Sequence, residues 1–485
     1  MGRSILLLAI ASPAVAGTVE LSPSGDAEAT IASLQPGDEL IVHGGTYSNT
    51  DRFSVSLVGT QAAPIVIRAA DGEHPIFTRP DAAQNLWDID RAEYVTIRGI
   101  EFVGGSAALR IGVARFLTIE DCEVHNSEDV AVRANDTGAR YEALHIKHNH
   151  IHDTGGTGEG MYLGCNSNAC QVFDSVIEGN WVHNTNGATV TQGDGIELKE
   201  GSYNNIIRDN VVHDTGYPCI LTYSTVGNGA QNVIERNVMW HCGDHGIQSA
   251  ADAIIRNNIV LGSAANGIAM QPHQAGSPSN LVVVHNTVLH ATNAAISISG
   301  ITGSVVVANN ALYAQGGTAI SVSGTTTGLV AVGNVGVGTS TVGGIAAGDL
   351  ANDFVAASYS GAPPNDVFPK SGSALVGAGV AMYGVMDDFN GTPREGTLDV
   401  GAYRFAAGGN PGWPIGPGFK DPPANVGGDN VGGDSPSGTD PANKDGCGCH
   451  STSPSGWFAL FALTAWLGRR RSARNQLETD KRHDR

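Results

Sequence analysis

The sequence predicts an all-β protein, a right-handed parallel β-helix closed at its N-terminal end by a short helix. A corner segment of the form apolar-x-x-Asn-x-apolar returns as IKHNHI, IEGNWV, IRDNVV, IERNVM, IRNNIV, VVHNTV and VANNAL. Its asparagines, Asn149, Asn180, Asn210, Asn237, Asn258, Asn286 and Asn310, follow one another at intervals of 31, 30, 27, 21, 28 and 24 residues. One coil of three short strands and three turns takes roughly 20–30 residues, so each repeat reads as one coil. No stretch carries the period of an amphipathic helix, and 65 glycines punctuate short runs of Val, Ile, Thr and Asn.

The Asn column has a physical reason. Asn tolerates the left-handed backbone that a sharp corner requires, and coils stacked about 4.8 Å apart let side-chain amides bond up and down the array. IEDCEV places Cys122 in the same column, and YVTIRGIEF supplies the coil before it. After each Asn segment comes a Gly-rich corner and another strand: DVAVRA, GEGMYLG, GDGIELK, CILTY, HGIQSA, NGIAMQ. Period-two alternation turns Ile196 and Leu198 inward, and Glu197 and Lys199 outward. Aligning these strands gives one outward column of Ala131, Tyr162, Glu197, Leu221 and Gln248, and a second of Arg133, Gly164, Lys199, Tyr223 and Ala250. Glu159, Asp194 and His245 occupy the preceding corners. The coil GDGIELKEG (193–201) is therefore the densest patch of titratable residues.

The ends read as export signals. Residues 1–16 form a signal peptide, with Arg3, a short apolar run and Ala14-Val15-Ala16 as cleavage site. The β-helix is expected over 17–405, and a disordered Gly/Pro/Asp-rich linker over 406–446. Residues 447–485 contain Cys447 and Cys449, an apolar run from Trp457 to Leu467 and Arg469-Arg470-Arg471. This combination resembles the myxobacterial-type C-terminal sorting signal, which implies membrane association through the tag and a cell-surface protein. The apolar run is shorter than the about 20 residues of a permanent span. Cys165 and Cys170 bracket CNSNAC and are placed to form a local disulfide in an oxidising compartment. Cys219 and Cys242 lie on neighbouring coils, where pairing is open. A formal charge of −20 with no basic stripe excludes nucleic acid as a partner.

The flanks TIASLQPGDELIVHGGTY (30–47), PIVIRAADGEHPIF and YVTIRGIEF resemble the entry to bacterial β-helix polysaccharide-active proteins, including the family-6 polysaccharide lyases. DFNGTPREGTLDVGAYRF (388–405) resembles the segment that closes such proteins before a surface anchor. The resemblance implies a polysaccharide partner, a monomer, and β-elimination of a uronate-containing chain, with carboxylates holding calcium beside a lysine base. That family's pattern is Glu-x-Glu-Ile-Ile-x-x-Lys-Ser; here IELKEGSYNN has one Glu before the Lys, two residues away instead of five. Matched by residue type, it implies Asp194, Glu197 and Glu159 as calcium ligands and Lys199 as base. Tyr162 or Tyr223 would serve the leaving oxygen, and Arg133, His245 and Gln248 would contact the sugar. A glycoside hydrolase or epimerase using the same carboxylates, and a non-catalytic surface carbohydrate-binding protein, are the alternatives. His125, His152, His183 and His213, continued by Trp240, form one column of stacked rings, and rings stacked in parallel do not converge on an ion.

Overall fold

The computed structural model describes residues 17–421. The signal at 1–16, the linker from 422 onward and the tag with Cys447 and Cys449 lie outside the described residues. Among the described residues, no helix is long and apolar enough to cross a membrane.

Each coil contributes one strand to each of three parallel ladders. A representative coil runs Ile206–Arg208, Val211–Thr215, Ile220–Thr222, and the next runs Asn232–Glu235, Val238–Cys242, Ile247–Ser249. The first ladder stacks Ile119, Ile146, Ile177, Ile207, Ile234 and Ile255 in register. The third stacks Met161, Ile196, Ile220, Ile247, Ile268 and Ile296. All these side chains are buried in one continuous core. Stacking similar apolar side chains at every coil gives a core that lengthens without widening. At the N-terminal end the helix Ala27–Ala32 buries Ile31, with Asp26 capping it by accepting from Ala29 N at 3.0 Å.

The Asn column is a buried ladder. Asn180 Nδ2 donates to Asn210 Oδ1 at 3.0 Å and to Ile146 O at 2.9 Å, while the Asn180 backbone N–H also donates to Asn210 Oδ1. The same set repeats at Asn149, Asn210, Asn237, Asn258, Asn286 and Asn310, and continues to Asn334. Cys122 heads the column as a free buried thiol, its N–H donating to Asn149 Oδ1. One expectation is corrected: the asparagines are not the left-handed residues. That conformation falls on the residue before each, at Asp121, His148, Gly179, Asp209, Arg236, Asn257, His285 and Asn309, with φ between 53° and 63°. The preceding residue makes the corner, and Asn is selected for its amide. A shorter ladder, Ser175–Asn205–Asn232, serves a second corner.

The outer face of the second ladder changes character along its length. In register it reads Glu101, Glu123, His150, Trp181, Val211, Val238, Ile259. Where it turns apolar it is covered: Phe354, Phe368, Leu375, Phe389, Val400 and Tyr403 pack there into a second core. The expected linker begins with chain that also packs on the helix. The Lys420 side chain is 7% exposed, with Nζ 2.7 Å from Asp209 Oδ1, and the Phe419 ring stacks on His148 at 4.0 Å. Both candidate disulfides form, Cys165–Cys170 and Cys219–Cys242.

Candidate active site

The third ladder carries the candidate site, and a glycine column explains its geometry. Gly160 and Gly195 open the strands Met161–Leu163 and Ile196–Leu198. A Cβ at Gly160 would lie 2.6 Å from Gly195 O, and one at Gly195 would lie 2.5 Å from Cys219 O. Only glycine permits coils to stack so closely here. Glu159 and Asp194, each just before such a glycine, therefore occupy the same corner on consecutive coils. Glu197, two residues past Gly195, completes the group: one oxygen from each of the three carboxylates lies within 4.8 Å of the others.

The outward column is Arg110, Arg133, Tyr162, Glu197, Leu221, Gln248. Arg133, expected opposite Gly164, instead pairs with Tyr162 in the column of Glu197. Lys199 and Tyr223 are neighbours, as expected. Lys199 Nζ donates to Glu197 Oε1 at 2.8 Å and to Tyr223 Oη at 3.1 Å, and Tyr223 O–H donates to Glu197 Oε1 at 2.8 Å. The ammonium also sits 4.9 Å and 4.5 Å from the ring centroids of Tyr162 and Tyr223.

These outward side chains are not exposed. Glu159, Asp194, Glu197, Lys199 and Tyr223 are 0%, 2%, 1%, 5% and 3% exposed. Alternation does point Glu197 and Lys199 away from the core, but another segment lies over the neighbouring Tyr223 and Glu200. His273 stacks on Tyr223 at 4.9 Å with Nε2 3.2 Å from its hydroxyl. Ala275 N–H donates to Glu200 Oε1, and Gln274 Nε2 to Asn166 Oδ1. Gln248 is sealed beneath Gln271, and His245 is turned to accept from Asn266 N–H, so neither presents itself to solvent. Nothing in the spacing of residues 271–276 announced that they would fold over this coil.

Burial sets the charges. The Glu159 carboxyl is raised to about 7 by burial and then by Glu197, and Asp194 is pushed well above the carboxylate range for the same two reasons. Burial opposes the charge on Lys199, yet Glu197 beside it holds the ammonium well above the usual lysine range. The Thr157 hydroxyl has one proton for two acceptors, Asp129 Oδ1 at 2.7 Å and Glu159 Oε2 at 2.6 Å. A protonated Glu159 satisfies both contacts by donating to Thr157. Glu159 Oε1, Asp194 Oδ1 and Glu197 Oε2 are buried without a hydrogen-bond partner. Three such oxygens on neighbouring carboxylates are a donor set that fits a hard divalent cation.

A raised carboxyl pKa makes stability pH-dependent. Glu159 holds its proton more tightly folded than unfolded, so its contribution is fully present below pH 4.5 and is lost as pH rises through about 7. In chelator, wild type is expected to lose on the order of 3 kcal/mol more than Glu159→Gln across that window. Denaturant unfolding of both proteins at pH 4.5 and 7.5 checks this; parallel profiles would remove Glu159 from the cluster.

Residues 11–181 match the family described as the Pel9A-like, right handed beta helix region, and residues 191–335 match the right handed beta helix region family. The chain is a right-handed parallel β-helix. It is 30% identical over 223 residues to pectate lyase PEL9 of Emericella nidulans, covering 43% of this chain and 50% of that protein. The chain thus spans about half the length of the curated relative it matches. Among solved structures, pectate lyase Pel9A superposes with a TM-score of 0.48 at 16% identity, covering 80% of this chain and 96% of that one. An alginate lyase from Paenibacillus sp. str. FPU-7 gives 0.41 at 18% identity, over 68% and 97%. The Azotobacter vinelandii mannuronan C-5 epimerase AlgE4 A-module gives 0.41 at 14% identity, over 67% and 92%.

Proposed function

We propose that this β-helix cleaves a uronate-containing polysaccharide by β-elimination at the Glu159–Asp194–Glu197–Lys199 cluster. The observation that carries the reading is the set of three buried carboxylates with unpartnered oxygens, set against a lysine and two tyrosines. A pectate lyase among the relatives supports the same class of substrate. Glu159, Asp194 and Glu197 would hold a calcium ion, which when bound neutralises a uronate carboxylate and acidifies the adjacent carbon.

Lys199 takes the carbon-bound proton at Nζ, the electron pair forms the new double bond, and the glycosidic C–O bond breaks. The Tyr223 hydroxyl, or that of Tyr162, returns a proton to the leaving oxygen. Lys199 can serve as a base only where the charge of Glu197 is engaged elsewhere, because that charge otherwise keeps the ammonium protonated. Arg133, one coil beyond Tyr162, is placed to meet a second carboxylate of an anionic chain. Access requires residues 271–276 to lift from Tyr223 and Glu200.

The same burial favours a second reading, a closed structural cluster in a protein that binds glycan without cleaving it. Export to a cell surface through the C-terminal tag remains part of the proposal, and two disulfides are in keeping with an oxidising compartment. The purified full chain, incubated with polygalacturonate and with alginate, is expected to generate the ultraviolet absorbance of an unsaturated uronate. Chelator should abolish it and added calcium restore it. Absorbance that survives chelation would remove the cation from the site, and no absorbance on acidic polysaccharides would favour the binding reading.

A further inference from the structure

The outer face of the second ladder holds a cluster of imidazoles that the lyase reading does not use. The strand His150–His152 turns both histidines outward, since residues two apart share a face. On the next coil, Trp181 lies opposite His150 and His183 opposite His152. His125, His152, His183, His213 and Trp240 do stack, with centroids 4.4–5.1 Å apart and nearly parallel planes. A pure stack would bring no nitrogens together.

His150 breaks that pattern. Its ring stacks on Trp181 at 4.1 Å, and its Nε2 meets Nε2 of His183 diagonally at 2.9 Å. One ring nitrogen each from His150, His152 and His183 lies within 4.8 Å of the others. The far sides of two of these rings are fixed by carboxylates. His150 Nδ1 is 3.3 Å from Glu123 Oε1, and His152 Nδ1 is 2.7 Å from Asp153 Oδ2. Asp153 is itself held by Asn184 Nδ2 at 3.0 Å. At His150 the carboxylate on Nδ1 fixes the tautomer that leaves Nε2 a lone pair, the arrangement that supports metal-bound histidines, whereas His152 has a carboxylate oxygen beside each nitrogen, Asp153 at Nδ1 and Glu123 at Nε2.

We propose that His150, His152 and His183 form a transition-metal site, with zinc as the ion it takes. Three imidazoles with one position left open match the ligand count of a three-histidine zinc centre, and imidazole prefers zinc, copper or nickel to calcium. The fourth position falls to water, and binding an ion at His152 Nε2 would displace its 3.1 Å contact with Glu123 Oε1, which stays with His150 Nδ1. The site differs in donor type and in ladder from the carboxylate cluster, so either can fail without the other.

The test uses the full chain, stripped of metal and with its free thiols alkylated so that the tag cysteines take no part. Zinc titrated by calorimetry should show one more equivalent bound by wild type than by His150→Ala or His183→Ala. Copper substituted for zinc should give an electron paramagnetic resonance spectrum with nitrogen superhyperfine structure, lost in the same two variants. Asp153→Asn should weaken zinc binding about 10-fold by releasing His152. His241→Ala, an exposed histidine two coils beyond His183, should bind as wild type. His183→Gln with unchanged circular dichroism covers the case in which an alanine variant misfolds. Equal zinc stoichiometry and equal copper spectra in wild type and folded variants would overturn the site and leave an aromatic stack alone.

Discussion

Asn210→Ala is expected to lower the stability of the β-helix by about 4 kcal/mol, among the largest effects of any single polar substitution in the chain. The change deletes four buried side-chain hydrogen bonds. Two run from Asn180 N–H and Asn180 Nδ2 to Asn210 Oδ1, and two from Asn210 Nδ2 to Ile177 O and Asn237 Oδ1. Alanine replaces none of them, and no water reaches a corner that is 0% exposed. Each buried donor or acceptor left alone costs about 1–3 kcal/mol, so three or four of them together exceed any gain from a smaller side chain. Asn210→Asp, nearly the same shape, should be as damaging, because a carboxylate cannot donate to Ile177 O and adds a buried charge. Asn184→Ala, which loses an exposed bond to Asp153, should cost less than about 1 kcal/mol. Urea unfolding of the three variants checks the ranking; near-equal midpoints would mean the Asn column is decoration on a core that suffices by itself.

The column was legible because its cause is local and repeated. Every coil needs one amide at the same corner, so the spacing alone exposes it, and Cys122 could be placed at its head. The conformational reason was assigned to the wrong residue, because a left-handed residue beside Asn and a left-handed Asn leave the same spacing in sequence. Alternation likewise gave the direction of Glu197 and Lys199 correctly. It could not give their burial, or that residues 271–276, three coils on, lie over the neighbouring Tyr223 and Glu200 through His273 and Ala275. Registering Arg133 against Tyr162 failed for a related reason: the loop between corner and strand varies from coil to coil, and two residues of slack move a side chain one full step along its face. His150 was overlooked because it stands one residue after the Asn column. Its meeting with His183 is diagonal, between columns, and a reading made one column at a time does not find it.

Burial also changes which substitution tests the chemistry. Lys199→Ala would leave the Glu197 carboxylate buried without its ammonium, a loss of about 3–5 kcal/mol, so that variant would confound folding with reaction. Lys199→Arg separates folding from reaction. Arginine keeps the charge facing Glu197 and the contacts with the two tyrosine rings, but its guanidinium does not give up a proton in proteins and cannot serve as a base. The variant should therefore keep wild-type circular dichroism and a melting temperature close to wild type. Its turnover on the acidic polysaccharide should fall about 10²-fold or more, the scale of a lost general base. Glu197→Gln should fall comparably and respond to added calcium less than wild type does, since one of the three carboxylates is gone while its Oε1 contacts with Lys199 and Tyr223 can persist. Tyr223→Phe should retain the ion pair and lose rate through the leaving group alone, if Tyr162 does not take its place. Undiminished turnover in a folded Lys199→Arg would remove Lys199 as base and move the reaction to another face of the helix.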